Sequence, residues 1–269
     1  MERELLISLQ KVEYDILCEL DKFCKKHNIK YSLYAGTLLG AVRHKGYIPW
    51  DDDVDVAMTR KNYNEFCIAI KNDPIEGLYF ESCEKDCYCG ICHGKLRKMN
   101  TLCIQDGEIE NLGHHGIWID IFPLDKISTN YYIAKKTMLY GVVRNIIARS
   151  NIIMKNDSIS RKVFRNIFRL IPTKSRRNIL RKTYRKLLVL DKSVSNDYQY
   201  CSMSTLSNIK RIRFPQTMVE NYSSILFEDQ EFEVFEDYKG LLQILYNDYM
   251  ALPPESERVC KHNPVKVQL

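Results

Sequence analysis

Along residues 3–27 apolar side chains return every three or four positions: Leu5, Leu9, Val12, Ile16, Leu20 and Phe23 fall on one side of a helical wheel. That period predicts an amphipathic helix, which His27-Asn28 interrupts. The pattern then shortens. YSLYA (31–35) is a β-type run, Gly36-Thr37 opens a brief helix through TLLGAVR, and KGYIP forms a turn because Gly46 and Pro49 both break regular structure. DVDVAM (53–58) reads as the next strand, Arg60–Ile70 as a helix, and 77–82 and 91–105 as further strands. In HGIWIDIFPLD (115–125), Ile117, Ile119 and Ile121 alternate with Trp118, Asp120 and Phe122, the period of a strand, expected to end at Pro123. From about residue 130 the period is helical, interrupted at Pro172, and a last helix in DYKGLLQILYNDYMALPP stops at Pro253-Pro254. The expectation is an α/β protein. A mixed-sheet core with an N-terminal helix fills 1–128, and a mainly helical region, 129–269, completes the site as a second region or as part of one continuous domain. No repeat or low-complexity linker divides the chain.

Composition fits that picture. The 269 residues are 45% hydrophobic and 28% charged, the balance of a soluble globular protein. No apolar run approaches the roughly 18–20 residues that span a bilayer. The first residues, MERELLISLQKVEYDIL, mix charges into apolar positions, unlike a secretory signal. A cytoplasmic protein is expected, with peripheral contact at the inner face of the membrane. In that compartment the ten cysteines are expected as free thiols that pack like small hydrophobes. Cys83, Cys87, Cys89 and Cys92, with His93, crowd one stretch. Their spacing is not two C-x-x-C knuckles and a second ligand pair is missing, so structural zinc is not expected.

Charge is uneven. The net charge is +6, and Arg144 to Lys186 carries Arg149, Arg161, Lys162, Arg165, Arg169, Arg176, Arg177, Arg181, Lys182 and Arg185 with Asp157 the one acid. Such a segment favours an anionic partner: lipid headgroups, a phosphorylated carrier or nucleic acid. Nucleic acid is not expected, because few aromatics interleave with these cations and no binding motif accompanies them. A solvated helix face is the plain alternative.

The chemistry concentrates between residues 31 and 58. If 51–57 is extended, Asp51, Asp53 and Asp55 share one face while Val54 and Val56 point into a core. Asp52 then faces away and is expected to matter least. Carboxylates so close repel, and a divalent cation with oxygen ligands, Mg²⁺ or Mn²⁺, relieves the conflict. An EF-hand fails, because its sixth and twelfth positions would be Val56 and Asn62. Asp120 is a fourth carboxylate for the same site, or a buried acid satisfied by backbone amides or an arginine. Gly36-Thr37 at a helix start offers amides and a hydroxyl to phosphate, with Arg43, His44 and Lys45 close behind. Tyr31, Tyr34, Tyr47, Trp50 and Trp118 are candidates for a quaternary-ammonium box or for the core.

YAGTLLGAVRHKGYIPWDDDVDV closely resembles the signature of the LicD family, which includes the fukutin-related transferases. The resemblance continues in KLRKMNT (95–101), HGIWIDIFPLDKI (115–127) and YNDYMALPPESERVCKH (246–262). It implies a nucleotidyltransferase-like fold. It also implies transfer of phosphocholine, or a similar phospho-alcohol, from a CDP-activated donor to a hydroxyl of a cell-surface glycan (lipopolysaccharide, teichoic acid or capsule) or its lipid-linked precursor. That reaction would depend on Mg²⁺ and release CMP. By this resemblance Asp53 and Asp55 are the metal-binding D-x-D, with Asp51 in the same acidic run, and Asp120 is the later strand carboxylate. Gly36, Thr37, Arg43, His44, Lys95, Arg258 and His262 are the substrate-side residues. Asn247 stands where the family commonly has glycine, and asparagine accepts positive φ. Two alternatives stay open: attachment of the nucleotide itself to a small molecule or protein, and a non-catalytic protein that binds anionic polymers.

Overall fold

A computed structural model describes residues 1–82, 92–105, 113–150, 163, 166–194, 197–203, 212–260, 262 and 264–269. Helix α1 (Arg3–Lys26) buries Leu9, Ile16, Leu17, Leu20 and Phe23, the stripe its periodicity predicts. After it come β1 (Ser32–Leu33), α2 (Ala35–Arg43), β2 (Asp55–Thr59), α3 (Arg60–Asn72), β3 (Leu78–Ser82), β4 (Gly94–Lys98), β5 (Leu102–Gln105) and β6 (Trp118–Ser128). The second half is mainly helical, with α4 (Tyr131–Arg149) and α5 (Thr173–Ser193). To these it adds β7 (Tyr198–Ser202), β8 (Phe214–Pro215), α6 (Gln216–Glu220), β9 (Tyr222–Phe227), β10 (Gln230–Phe235), α7 (Tyr238–Tyr246) and β11 (Pro264–Gln268).

The main sheet runs β1-β2-β6-β4-β3, and β7 joins β6 and carries β8. Only the β2–β6 pair is parallel in this set. Strand alternation divides the sheet chemically. One face carries Val56, Met58, Ile119, Ile121, Leu96 and Phe80, and all but the partly buried Phe80 are buried in the main core. The aromatic edges of Phe23 on α1 and Phe80 on β3 both meet Phe66 of α3 on this side. The other face carries Asp55, Trp118, Asp120, Phe122, Lys95, Arg97 and Glu81. Burial of the first face holds the second in place.

β6 does not stop at Pro123, as the sequence pattern predicts, but continues to Ser128. Opposite β2, residues 118–121 pair with β4 and residues 124–128 pair with β7. Phe122 and Pro123 fall at the changeover between those partners, where a missing N–H costs no ladder bond. The acidic run differs too: β2 begins at Asp55, and residues 51–54 form no strand. The β9–β10 hairpin packs Phe227 and Phe232 on Tyr14 of α1, and Phe235 N–H donates to Ser32 Oγ on β1. β11 pairs with β5. Cys24 and Cys103 are buried in the main core, and Cys92 and Cys201 lie in smaller apolar clusters. Cys83, Cys87 and Cys89 lie outside the described residues, so the zinc question falls there. Among the described residues no helix is long and apolar enough to cross a membrane.

One polar link ties α3 to the sheet. Arg60 grips Asp125 of β6 with two hydrogen bonds, Nε to Oδ1 at 2.7 Å and Nη2 to Oδ2 at 2.9 Å, both residues being almost fully buried. Its guanidinium also lies over the rings of Tyr63 and Tyr184, the latter on α5. Removing one partner strands a buried charge, whereas replacing both does not. Arg60→Leu is expected to cost about 3–5 kcal/mol of unfolding free energy in urea, and Arg60→Leu/Asp125→Leu to regain most of it. A single-variant loss under about 1 kcal/mol would show that the pair does not hold α3 to the sheet.

Candidate active site

The register of three strands builds the centre of the site. Asp120 stands opposite Asp55 on β2 and opposite Lys95 on β4, and Lys95 stands opposite Glu81 on β3. Residues directly opposite in a sheet point to the same face, so a row of charge crosses it. Asp120 is well coordinated by protein. His93 Nε2 lies 3.0 Å from Oδ1, Lys95 Nζ 3.4 Å from the same oxygen, and Trp118 Nε1–H donates to Oδ2 at 3.2 Å. Burial alone would raise the Asp120 pKa, but Lys95 and His93, with the His93 and Trp118 hydrogen bonds, outweigh it and hold the carboxyl below the usual range. Lys95 Nζ also sits 3.8 Å above the Trp118 ring.

Asp55 is in the opposite condition. Burial, then the charges of Asp53, Asp120 and Asp51, push its carboxyl well above the usual range, with Lys95 opposing. Its backbone is fixed at both ends: its N–H donates to Thr37 Oγ1 at 2.8 Å, and its carbonyl accepts Tyr34 N–H at 2.9 Å. Thr37, buried in the first turn of α2, therefore sets the start of β2. Gly36 makes room for a carboxylate: a Cβ there would lie 2.5 Å from Asp51 Oδ2. Asp51 thus rests against the N-terminus of α2, where the helix favours negative charge. Ala35 enters that helix at φ +45°. Gln10 Nε2 of α1 donates to Asp51 O at 2.8 Å and holds the acidic run from below.

Asp52 does not turn away from its neighbours as alternation predicts. Its side chain is buried, it accepts His262 N–H at 3.1 Å, and its Oδ1 lies 3.3 Å from His262 Nδ1. Asp53 Oδ2 is 3.7 Å from the same nitrogen. The strict two-residue period fails here because 51–54 is a loop, so each acid takes its own direction. His262 and Arg258 belong to the segment after α7, which crosses the acidic loop. Asn247 starts that crossing at φ +57°, the positive φ expected of it, although its ψ of −108° is outside the left-handed helical well.

The remaining substrate-side candidates gather at one edge around Trp50. The Arg258 guanidinium lies 5.7 Å over its ring and His44 meets the ring edge-on at 6.0 Å. Arg258 Nε–H donates to Pro253 O at 2.9 Å. Arg43 Nη1 donates to Tyr249 O at 3.1 Å and Ala251 O at 3.0 Å, stitching α2 to the C-terminal segment. Burial, then Arg43, lowers the His44 pKa. Lys45 sits at φ +66° in the following turn, its carbonyl accepting Glu228 N–H.

Three further residues face the carboxylates. Glu13 of α1 is buried, and its Oε2 has no hydrogen-bond partner among the described residues. Burial and the charges of Asp53, Asp52, Asp51 and Asp120 push it well above the usual range. Its signal in sequence is an acid at the step from Leu9 to Leu17 in the apolar stripe. His93 Nδ1, on the side away from Asp120, likewise has no partner among the described residues. Its two-residue steps to Lys95 and Arg97 mark it as a member of the same face, a signal the neighbouring cysteines mask. Tyr246 at the end of α7 keeps 39% of its surface exposed, and partial burial, then the charges of Asp55, Asp51 and Asp53, raise its hydroxyl pKa.

Among the described residues no three Asp, Glu, His or Cys side chains stand as a finished metal-binding set. The donors nevertheless suit a divalent cation. They are carboxylate oxygens, and their mutual repulsion is written in the raised pKa of Asp55 and Glu13. Asp51, Asp53 and Asp55 lie at one end of the sheet with Asp120 beside Asp55.

Residues 28–145 match the family model described as LicD/FKTN/FKRP, nucleotidyltransferase domain. Over 97% of its length the chain aligns, at 25% identity, with 97% of the lipopolysaccharide cholinephosphotransferase LicD of Haemophilus influenzae. A shorter stretch, 20% of the chain, is 43% identical to 17% of an uncharacterized protein of Rickettsia typhi. The matched span runs from β1 to α4 and contains the acidic loop, the Asp55–Asp120 row and Lys95. Residues 28–145 are thus similar to the LicD/FKTN/FKRP nucleotidyltransferase domain, and the chain as a whole is similar to a LicD cholinephosphotransferase.

Proposed function

We propose that this enzyme is a phosphotransferase that moves phosphocholine, or a phospho-alcohol like it, from a CDP-activated donor to a hydroxyl of a cell-surface glycan such as lipopolysaccharide. The observation that carries the reading is the row Asp55–Asp120–Lys95 on a desolvated sheet face, inside a chain that aligns end to end with a cholinephosphotransferase. In the reaction a glycan hydroxyl oxygen bonds to the phosphorus bearing the alcohol, the bond from that phosphorus to the bridging oxygen breaks, CMP leaves with that bond's electron pair, and the hydroxyl proton passes to solvent. Asp53 and Asp55, with Asp51 and Asp120 beside them, would hold a divalent cation that neutralises the donor's diphosphate. Lys95 supplies fixed positive charge next to that row, Arg43 and Arg258 add more at the Trp50 edge, and His44, its pKa lowered there, offers a neutral hydrogen-bonding ring. Asp120 is kept ionised by Lys95 and His93, so it holds charge and is a poor acceptor for the hydroxyl proton. The nucleotidyltransferase label of the matching domain favours one other reading, transfer of the nucleotide itself.

The C-terminal segment closes the site by a titrating contact. The hydrogen bond to Asp52 raises the His262 pKa above 6.5, against burial and with the help of the Asp53 and Asp52 charges. A group raised in the folded state stabilises it fully below its unfolded pKa, and that contribution disappears as pH climbs through the folded value. The clasp between 262 and 52 is therefore strong in mild acid and weakens in mild base.

Three outcomes are expected. With Mg²⁺ and a glycan acceptor, one of CDP-choline, CDP-ethanolamine, CDP-glycerol or CDP-ribitol will release CMP; pyrophosphate from a nucleoside triphosphate instead would support nucleotidyl transfer. Asp53→Asn will lower turnover at least about a hundredfold while the melting temperature holds or rises, since repulsion is relieved. Near-wild-type turnover in that variant would remove Asp53 from the metal-binding role. In EDTA, hydrogen-exchange protection of the segment after Arg258, corrected for intrinsic rate, will fall between about pH 6 and about pH 9, and His262→Gln will flatten the profile. A flat wild-type profile would deny the clasp.

A further inference from the structure

α4 and α5 bury one side and leave the other to solvent. On α5, Leu180 and Leu187 are buried, whereas Lys174, Arg181, Lys182, Arg185, Lys186 and Lys192 are exposed. The one acid of that helix, Asp191, is half-buried and accepts the backbone N–H of Lys126. Among the described residues the outer side of α5 is thus a field of positive charge without an acid on it.

Just before α5 in the chain lies an apolar set. Val163, Ile167 and Leu170 are spaced by four and three residues and are 54%, 56% and 82% exposed. Their neighbours Phe168 and Ile171 turn inward, onto the cluster of Cys92, Ile147, Ala148 and Leu180. The stretch before Pro172 therefore presents apolar side chains on its outer side as well as its buried one. A helix facing only water carries polar residues at such positions. On α4, Tyr131, Tyr132 and Leu139 are likewise exposed, with Lys135 and Lys136 between them.

We infer that this side of the helical layer is a peripheral docking surface for an anionic lipid bilayer. Exposed apolar side chains enter the boundary between headgroups and acyl chains, and the flanking lysines and arginines meet lipid phosphates. Charge decides the occupant. A second copy of the same surface would bring two cationic fields together, which is repulsive, and a polyanion such as nucleic acid would leave Ile167 and Leu170 in water. The surface is joined to the catalytic face, because the cluster beneath it includes Cys92, the residue before His93. Docking is independent of the transfer reaction, so vesicle binding reads it without turnover.

The full chain is sedimented with phosphatidylcholine vesicles, either alone or containing about one-third phosphatidylglycerol. Binding is expected to the anionic vesicles only and to weaken with salt. Lys174→Gln/Arg181→Gln/Lys182→Gln/Arg185→Gln, checked for an unchanged helical circular dichroism spectrum, will bind at least about a hundredfold more weakly, at about fivefold per cation removed. Ile167→Ser/Leu170→Ser will keep the salt-sensitive part and lose the binding that survives raised salt. Equal binding to both vesicle types, binding to neither, unchanged binding in the four-site variant, or tighter binding to duplex DNA than to anionic vesicles at the same ionic strength would each overturn the inference. Self-association abolished by Ile167→Ser/Leu170→Ser, without vesicle binding, would overturn it as well.

Discussion

Asp55 and Asp120 face each other across two parallel strands whose reverse sides are sealed into the core. Neighbouring strands lie about 4.8 Å apart, and unit charges at about 5 Å repel by about 3 kcal/mol at an effective dielectric of 20. The fold fixes this pair and then divides the burden unequally. Asp120 receives His93, Lys95 and the Trp118 indole and stays ionised, while Asp55 receives neighbouring carboxylates and is driven toward its neutral form. A divalent cation bound there would remove the conflict without moving a strand.

The rest of the structure holds that pair in place. Val56, Met58, Ile119 and Ile121 lock β2 and β6 into one register from the apolar side, and α1 and α3 cover them. Thr37 sets where β2 begins, Gly36 admits Asp51 against α2, and Gln10 supports the acidic run from α1. The C-terminal segment returns through Arg43, Trp50 and His262 to close the other side. Loss of preorganisation at any of these contacts would reach the reacting phosphate as misplacement of a carboxylate.

Much of this was legible in the sequence, for identifiable reasons. Periodicity located α1, α3 and the alternation of β6, because each has one apolar side on a single core. It misplaced the end of β6, because Pro123 coincides with a change of strand partner that only the sheet reveals. It turned Asp52 away from Asp53, whereas both meet His262, because alternation was extended into a loop. The strands β7 to β11 escaped because they are short or have few strongly apolar residues, and all but the β9–β10 hairpin pair with distant chain. His93 and Glu13 were overlooked for opposite reasons: one lay among cysteines that pointed to zinc, the other inside a helix judged only by its apolar stripe. Asn247 was legible from the glycine that the resemblance puts at its position: its φ is positive, although its ψ lies outside the left-handed well.

Titration of the metal-free protein with Mn²⁺, followed by electron paramagnetic resonance, tests the carboxylate pair directly. The expected result is stoichiometric Mn²⁺ binding that raises the melting temperature of the wild-type protein and is lost in Asp55→Asn, itself folded and at least as stable without metal. Absence of Mn²⁺ binding to the wild-type chain, or equal binding by Asp55→Asn, would contradict the reading of this row as a cation site.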